Sequence, residues 1–565
     1  NKKRSRSVDL LRVKEIEEAE KAWFRQFRGW KERKEEFVTA SHIPVKRIYT
    51  MADIKDVDYL RDIGFPGEAP LVRGIYPTMY RGRYWTMRMF SGHGTPEETN
   101  DRWKMLHKEG ETGFSAAVDV LTHCGFSPED PMYDAEVGTE GVPIYSIKSM
   151  EALTKDLPIE STSVTFTVQS FASAIVSSFY FNVAQEKGID LENLTGTSTN
   201  DILTITLARP QPKVVSPRNL LKLACDLIEW CTALKKIPKW HPVSITSYNI
   251  REGGIDAIQE IAFAFAAAKA CCDELVEVRG YKIDDFAHRL AFHFSASDDF
   301  FEEIAKFRAA RRLWYNIMKE EYKAKKEESC TLRFHAQTAG VSLTAQQPLI
   351  NIARVAYQAL AAILGGCQSL HTDSYDEAMS LPSKEAALIA LRTQQILQEE
   401  TGVTNTIDPI GGSYYVECLT KEMEERILRY MDKINDAGGF IKTLENGWAY
   451  SEMTKAFYEK QKAIEGGEER IVGVNCYTTD EKFGIKAFRT NPMAAEMERE
   501  RIRKLKRERN NERLKGLLDK LRTTCDKGEN VMPLLMELTK EGATLSEICD
   551  VYREVWGIWE APIRI

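Results

Sequence analysis

The stretch that most restricts the fold is Thr331 to Met379, TLRFHAQTAGVSLTAQQPLINIARVAYQALAAILGGCQSLHTDSYDEAM. Its pattern predicts one strand–helix–strand unit: Leu332–Gln337 extended, an apolar-striped helix over Pro348–Leu364, a Gly365-Gly366 stop, and a second strand over Cys367–His371. Polar residues close both strands, His335, Gln337 and Thr338 in the first and Gln368, Ser369 and His371 in the second. A buried parallel strand avoids such residues unless the core satisfies them or a ligand meets them. Where units of this kind form a barrel, side chains at the C-terminal ends of different strands converge on one mouth, where ligands bind.

Upstream, strand-like runs at Val142–Ile147, Ser163–Val168, Val243–Tyr248 and Leu290–Ser295 alternate with helical stretches such as Gly253–Val278 and Asp298–Lys323. No Gly-rich dinucleotide turn follows any of these strands. The alternation therefore predicts an α/β fold of the (β/α)8 TIM-barrel type rather than a doubly wound sheet. The expected organisation is a helical arm and extended connector over 1–72, the barrel over 73–410 and a helical extension over 411–565. In the arm, Leu10, Leu11, Ile16, Ala19, Trp23 and Phe27 form a broken apolar stripe between mixed charges. Beyond the barrel, Leu419–Ala449 reads as helical, Glu496–Arg522 as one solvated helix of alternating charge, and Val531–Lys540 and Leu545–Trp556 as short amphipathic helices.

A chain of 565 residues buries a large core, and its net charge of −7 gives no general case for nucleic acid or a membrane surface. The most apolar segment, Ile261–Cys272, is interrupted by Lys269 and falls well short of the ~20 residues needed to span a bilayer. Eleven scattered cysteines without metal-ligand spacing imply reduced thiols and a cytoplasmic setting. The basic start NKKRSRS has no apolar signal core behind it and lacks Met, as a truncated terminus would. In Arg73–His93, RGIYPTMYRGRYWTMRMFSGH, Arg81 and Arg83 share one face if extended, with Arg73 and Arg88 nearby. Taken alone the stretch reads as a solvated basic edge, or as a set of charge-assisted donors suited to phosphate oxygens.

RGIYPTMYRGRYWTMR, THCGFSPEDPMYDAEVG, TNDIL, FFEEIAKFRAARRLW, RFHAQTAGVSLTAQ, QSLHTDSYDEAMSLP and IDPIGGSYYVE resemble the substrate-binding chain of the adenosylcobalamin-dependent acyl-CoA mutases, which act on methylmalonyl-, isobutyryl- and 2-hydroxyisobutyryl-CoA. The resemblance implies a TIM barrel threaded by the pantetheine arm of coenzyme A, with the corrin over its C-terminal mouth. Tyr76, Met79, Arg83, Thr86, Arg88, Ser115, Thr165, Thr167, Thr197, Arg289, His335, Gln337 and Ser369 would contact the CoA ester. His123, Glu140, Glu252, Gly340, Glu377 and Ala378 would face the corrin or the adenosyl group. None of the nine histidines stands two residues after an Asp, so the family's cobalt-ligating Asp-x-His-x-x-Gly is absent. The implied partner is a small cobalamin-binding subunit, in a heterotetramer of two large and two small chains, and the C-terminal helices resemble the family's linker.

The implied reaction is a radical 1,2-rearrangement of the carbon skeleton of a CoA thioester, in which the cofactor carries the difficult chemistry. Phe90 stands where methylmalonyl-CoA mutases have Tyr and the hydroxyacyl enzymes have Ile, and Ala117 where the latter have Asp, which resembles the isobutyryl-CoA type. Arg209, after TNDIL, takes about the position of an Arg used on a free carboxylate. Tyr248 and Asn249 are the catalytic candidates, in a Ser247-Tyr248-Asn249 that replaces Gly-Tyr-His, while Thr199 replaces a Gln. Both replacements shorten side chains that meet the acyl portion. The expected substrate is therefore a bulkier acyl-CoA; the alternatives are isobutyryl- or butyryl-CoA, or an attenuated chain with an assembly role.

Overall fold

The computed structural model describes residues 2–480, 484 and 487–562. Its sheets are built from β1 (Thr86–Met87), β2 (Phe90–Ser91), β3 (Phe114–Ala117), β4 (Val164–Thr167), β5 (Gly196–Ser198), β6 (Trp240–His241), β7 (Val243–Thr246), β8 (Leu290–Ala296), β9 (Arg333–Thr338) and β10 (Ser369–His371). They form two parallel sheets, in the orders β1-β10-β9-β8-β7 and β2-β3-β4-β5-β6. Only residues 88–89 separate β1 from β2. Within this short segment the Arg88 N–H donates to Leu370 O at 3.0 Å, and the Met89 N–H donates to the Glu111 carboxylate at 2.8 Å. Pro242 alone separates β6 from β7, and a proline has no N–H to continue a ladder. Beyond it, the Ser244 N–H donates to Thr199 O at 2.9 Å.

Strand alternation sorts the side chains between two faces. Phe292, Phe294 and Phe334 turn toward the helices, where Phe265, Phe307 and Trp314 pack on them at centroid distances of 4.8–6.4 Å. Thr165, Thr167, Thr197, His335 and Ser369, on the other face, keep partial exposure. The helix Ser170–Glu186 is buried from Ser170 to Ala184, because the C-terminal segment covers its outer side. Asn182 Nδ2 donates there to Met536 O at 2.9 Å and to Thr539 Oγ1 at 2.8 Å.

The unit at 331–379 folds as its pattern predicts, with the strands Arg333–Thr338 and Ser369–His371 flanking the helix Asn351–Leu364. Val142–Ile147 differs. Only Val142 bridges, to Val118, and a helix begins at Ile147, because Gly141 takes a φ of +145° and Pro143 offers no donor. The charged stretch 496–522 is two helices, Ala494–Glu508 and Asn511–Asp526. Asn510 between them is extended and caps the second by accepting the Arg513 N–H at 3.1 Å. No helix among the described residues is long and apolar enough to cross a membrane.

Candidate active site

Functional side chains are sorted along the strand direction. At the starting ends lie Arg83, exposed just before β1, and Arg289, just before β8, whose Nε is buried without a partner. Burial and then the neighbouring Arg333 lower the Arg289 pKa, while Glu328 and then the Tyr76 hydroxyl act in the opposite sense. Tyr76 is exposed, whereas Met79 is buried with a φ of +40°.

Midway, the side chains are polar and mostly neutral. Arg88 is buried and donates to Phe114 O at 2.8 Å, Thr165 Oγ1 at 2.6 Å and Ser163 Oγ at 2.5 Å. Burial pulls its pKa to about 10 against the opposing charge of Glu111. Thr86 lies level with Ser369, and Ser369 with His335. His335 Nδ1 lies 2.7 Å from Ser369 Oγ, while its Nε2 is buried and unpartnered. Burial first, then His293, Arg88 and His371, hold the His335 pKa well below the ordinary 6.5, so the ring is neutral. Ser115 Oγ has no partner among the described residues either, and Ser115, Thr165 and Thr197 are level with one another across β3, β4 and β5. Thr167, level with Ala117, donates to Ala116 O at 2.7 Å. Phe90 sits among three imidazoles, its ring centroid 4.7 Å from His371, 5.5 Å from His335 and 5.6 Å from His293.

At the finishing ends, carboxylates gather. Asp373 accepts from Gln337 Nε2 at 2.9 Å and Thr338 Oγ1 at 3.0 Å, and lies 3.0 Å from His371 Nε2. The Phe90 N–H donates to His371 Nδ1 at 3.2 Å, so the proton of a neutral His371 lies on Nε2, facing Asp373. Tyr248 OH accepts the Gly340 N–H at 3.2 Å, and Glu252 Oε2 accepts the Val341 N–H at 2.6 Å. Burial, then the charge of Asp373, lifts the Glu252 pKa to about 8. A Cβ on Gly340 would meet both Glu252 Oε2 and Tyr248 OH at 3.2 Å, so glycine is what lets these groups approach the loop. His123 Nδ1 and Glu252 Oε1 are buried without partners, while Glu140, Glu377 and Ala378 are exposed.

Three residues singled out for the acyl end behave differently from the rest. Thr199 Oγ1 donates to Phe166 O at 2.7 Å, and Asn249 Nδ2 donates to Thr204 Oγ1 at 2.9 Å, so both donors are engaged within the chain. Arg209 is exposed, and its charge, after burial, helps hold His123 near a pKa of about 3. Sequence reading singled out His371 only as a polar strand end and missed His293 and Asp373. The only available signal was alternation: in LAFHFSA the histidine falls between two phenylalanines that belong to the helix-facing side.

Residues 38–558 match the family model of methylmalonyl-CoA mutase. The chain is 42% identical over 536 residues to the 2-hydroxyisobutanoyl-CoA mutase large subunit of Aquincola tertiaricarbonis, covering 94% of each. It is 38% identical over 525 residues to the methylmalonyl-CoA mutase of Rhizobium meliloti (strain 1021), covering 93% of this chain and 73% of that one. Against the mitochondrial methylmalonyl-CoA mutase of Homo sapiens the identity is 35% over 529 residues, covering 93% and 69%. The match spans nearly all the described strands and helices, so the chain is a mutase of the methylmalonyl-CoA mutase family.

Proposed function

We propose that this chain is the acyl-CoA-binding large subunit of an adenosylcobalamin-dependent mutase that rearranges the carbon skeleton of a CoA thioester with an acyl group bulkier than methylmalonyl or isobutyryl. The observation that carries this reading is the sorting of side chains along the strands, from arginines through neutral donors to carboxylates. A CoA thioester is anionic at its nucleotide end and neutral along its pantetheine arm, so it matches the first two tiers in order. On this reading the two sheets close into a (β/α)8 barrel over 73–410. Support comes from 86–91 and 240–246, each of which pairs into both sheets.

Tyr76, Met79, Arg83 and Arg289 then hold the CoA end, and Thr86, Arg88, Ser115, Thr165, Thr167, Thr197, His335, Gln337 and Ser369 line the arm and thioester. Arg88 and His335 do so with little reorganisation, since Arg88 is fixed by three acceptors and His335 by Ser369. Phe90, Ala117, Thr199 and Asn249 bound the acyl group, with Tyr248 above them. The cofactor, when bound, supplies radical chemistry. The chain's own groups fit a polar, hydroxyl-bearing ligand at the finishing ends: unpartnered Glu252 Oε1 and His123 Nδ1, and the Gly340 turn. Glu140, Glu377 and Ala378 complete that rim. The cobalt ligand falls to a small partner subunit in a heterotetramer of two large and two small chains, in a cytoplasmic setting. The relative from Aquincola tertiaricarbonis carries the name of a large subunit.

The engaged donors of Thr199 and Asn249 also favour a second reading, an attenuated chain that serves assembly. The full chain with its small subunit, adenosylcobalamin and a panel of CoA esters separates the two. Turnover of bulky esters ahead of isobutyryl-CoA supports the first. Turnover of isobutyryl-CoA ahead of every bulky ester removes the bulky-acyl claim, and absence of CoA-ester binding in titration leaves the assembly role.

A further inference from the structure

His293 is a buried imidazole whose Nε2 makes no hydrogen bond to the other described residues. It lies midway along β8, level with Thr246 on one neighbouring strand and His335 on the other. Its flanking residues Phe292 and Phe294 pack toward the helices, so His293 turns to the opposite face, with Phe90 and His335. Its ring stacks on Tyr248 at 5.2 Å with an interplanar angle of 11°, meets His335 edge-on at 4.7 Å and lies 5.6 Å from Phe90. The residue is 4% exposed, and its Nε2 has no hydrogen-bond partner.

Of the polar groups nearby, Gln337 keeps its Oε1 unpaired among the described residues and is the one that acts on the His293 ring, while the others are engaged elsewhere. Ser369 serves His335, and Asp373 serves His371, Gln337 and Thr338. Thr199 and Asn249 are tied to Phe166 and Thr204. Burying a ring nitrogen without a partner is costly, so one that is kept calls for a water, an ion or a ligand to meet it. Burial, then the neighbouring His371, holds the His293 pKa at about 3 against the opposing side chain of Gln337, so the ring carries one N–H and no charge at neutral pH. A neutral donor set between the aromatic faces of Phe90 and Tyr248 suits an uncharged carbonyl oxygen within an apolar group, and it suits an anion poorly.

Resting on the acyl-CoA reading above, we propose that His293 Nε2–H donates a hydrogen bond to the thioester carbonyl oxygen of the bound acyl-CoA, between the rings of Phe90 and Tyr248. His293 is then a substrate-binding residue, and it fixes where along the strands the carbonyl sits.

The test uses the full chain and two probes that differ only at that oxygen: butyryl-CoA and its thioether, S-butyl-CoA, in which a methylene replaces the carbonyl. Calorimetric titration of the wild type should favour the thioester. In His293→Phe that preference should fall by roughly five- to tenfold, with affinity for the thioether unchanged, the size expected for one uncharged hydrogen bond. His293→Gln, which keeps an amide donor, should retain most of the preference and serves as the readout if the Phe variant does not fold. A wild type that binds both probes equally, or a Phe variant that weakens both equally, overturns the assignment. A wild type that binds neither overturns the acyl-CoA reading together with it.

Discussion

Asn249 donates its side-chain amide to Thr204 Oγ1 at 2.9 Å, which ties the short helix Tyr248–Glu252 to the turn Thr204–Ala208. The amide is therefore partly spent within the protein, as is the Thr199 hydroxyl on Phe166 O. A mutase for small acyl groups needs preorganised donors at the thioester, and each one missing costs about 10²–10³ in rate. Asn249→His combined with Thr199→Gln should raise turnover of isobutyryl-CoA by about 10²-fold or more in the reconstituted enzyme, while slowing bulky esters by crowding. If the double variant leaves isobutyryl-CoA turnover where it was, these positions do not set the substrate.

Phe90 is in ring contact with His293, His335 and His371 at once, at 4.7–5.6 Å. On the acyl-CoA reading, its side chain therefore sets the depth of the space beside the thioester. Phe90→Leu removes several ring atoms while keeping an apolar wall. One or two methylenes in a hydrophobic pocket are worth about 10–200-fold in discrimination. The ratio of kcat/KM for hexanoyl-CoA over isobutyryl-CoA should therefore rise by about tenfold. An unchanged ratio would place the acyl group elsewhere.

Glu111 gives the chain a pH-dependent stability. It is buried to 1% exposure, and burial raises its pKa from 4.5 to about 8, with the Met89 N–H and the charge of Arg88 opposing. The unfolded carboxyl releases its proton near 4.5, while the folded one keeps it to about 8, so between those values the folded state holds the extra proton. Stability from this group therefore falls as pH rises through that window, by up to about 1.4 kcal/mol per unit, and is flat above it. Glu111→Gln keeps an acceptor for the Met89 N–H and cannot titrate. Its melting temperature should decline less than that of the wild type between pH 5 and 8, and parallel declines would count against the assignment.

How far the sequence could be read depends on element length. The strand–helix–strand unit of residues 331–379 was legible because its helix carries a full apolar stripe and ends on Gly365-Gly366. Strands β1, β2 and β5 were not, being only two or three residues long, too short for any period to register. Tyr248 belongs to the first turn of a helix and not to the end of a strand, since β7 stops at Thr246. At the site, matched motifs pointed to His335, Gln337 and Ser369, and these do lie together. The partners that fix them were invisible, because Asp373 acts through three side chains from two strands and His293 differs from a packed core residue only in the ring face it turns to Phe90 and His335.

The strand that carries His293 is held by a buried charge cluster two residues further on. Lys306 Nζ donates to Ser295 O at 2.6 Å and to Glu260 Oε2 at 2.7 Å, and also pairs with Glu303, while Glu260 Oε1 accepts the Ser295 N–H at 2.7 Å. Both backbone groups of Ser295 thus end on one ion pair, whose members have no exposure. The nearest other cation, Arg251, is 3.8 Å from Glu260 and 3.5 Å from Glu303, too far to replace the lysine's hydrogen bonds. Lys306→Met leaves two buried carboxylates with that one partner, and breaking a buried pair in this way costs about 3–5 kcal/mol. Urea unfolding should move to a clearly lower midpoint, and hydrogen exchange should accelerate across 291–296 before it does in β9. Adding Glu260→Gln and Glu303→Gln to Lys306→Met removes the stranded charges, and should recover part of the loss without restoring the slow exchange of Ser295. If Lys306→Met unfolds at the wild-type urea concentration, the cluster is not what anchors β8.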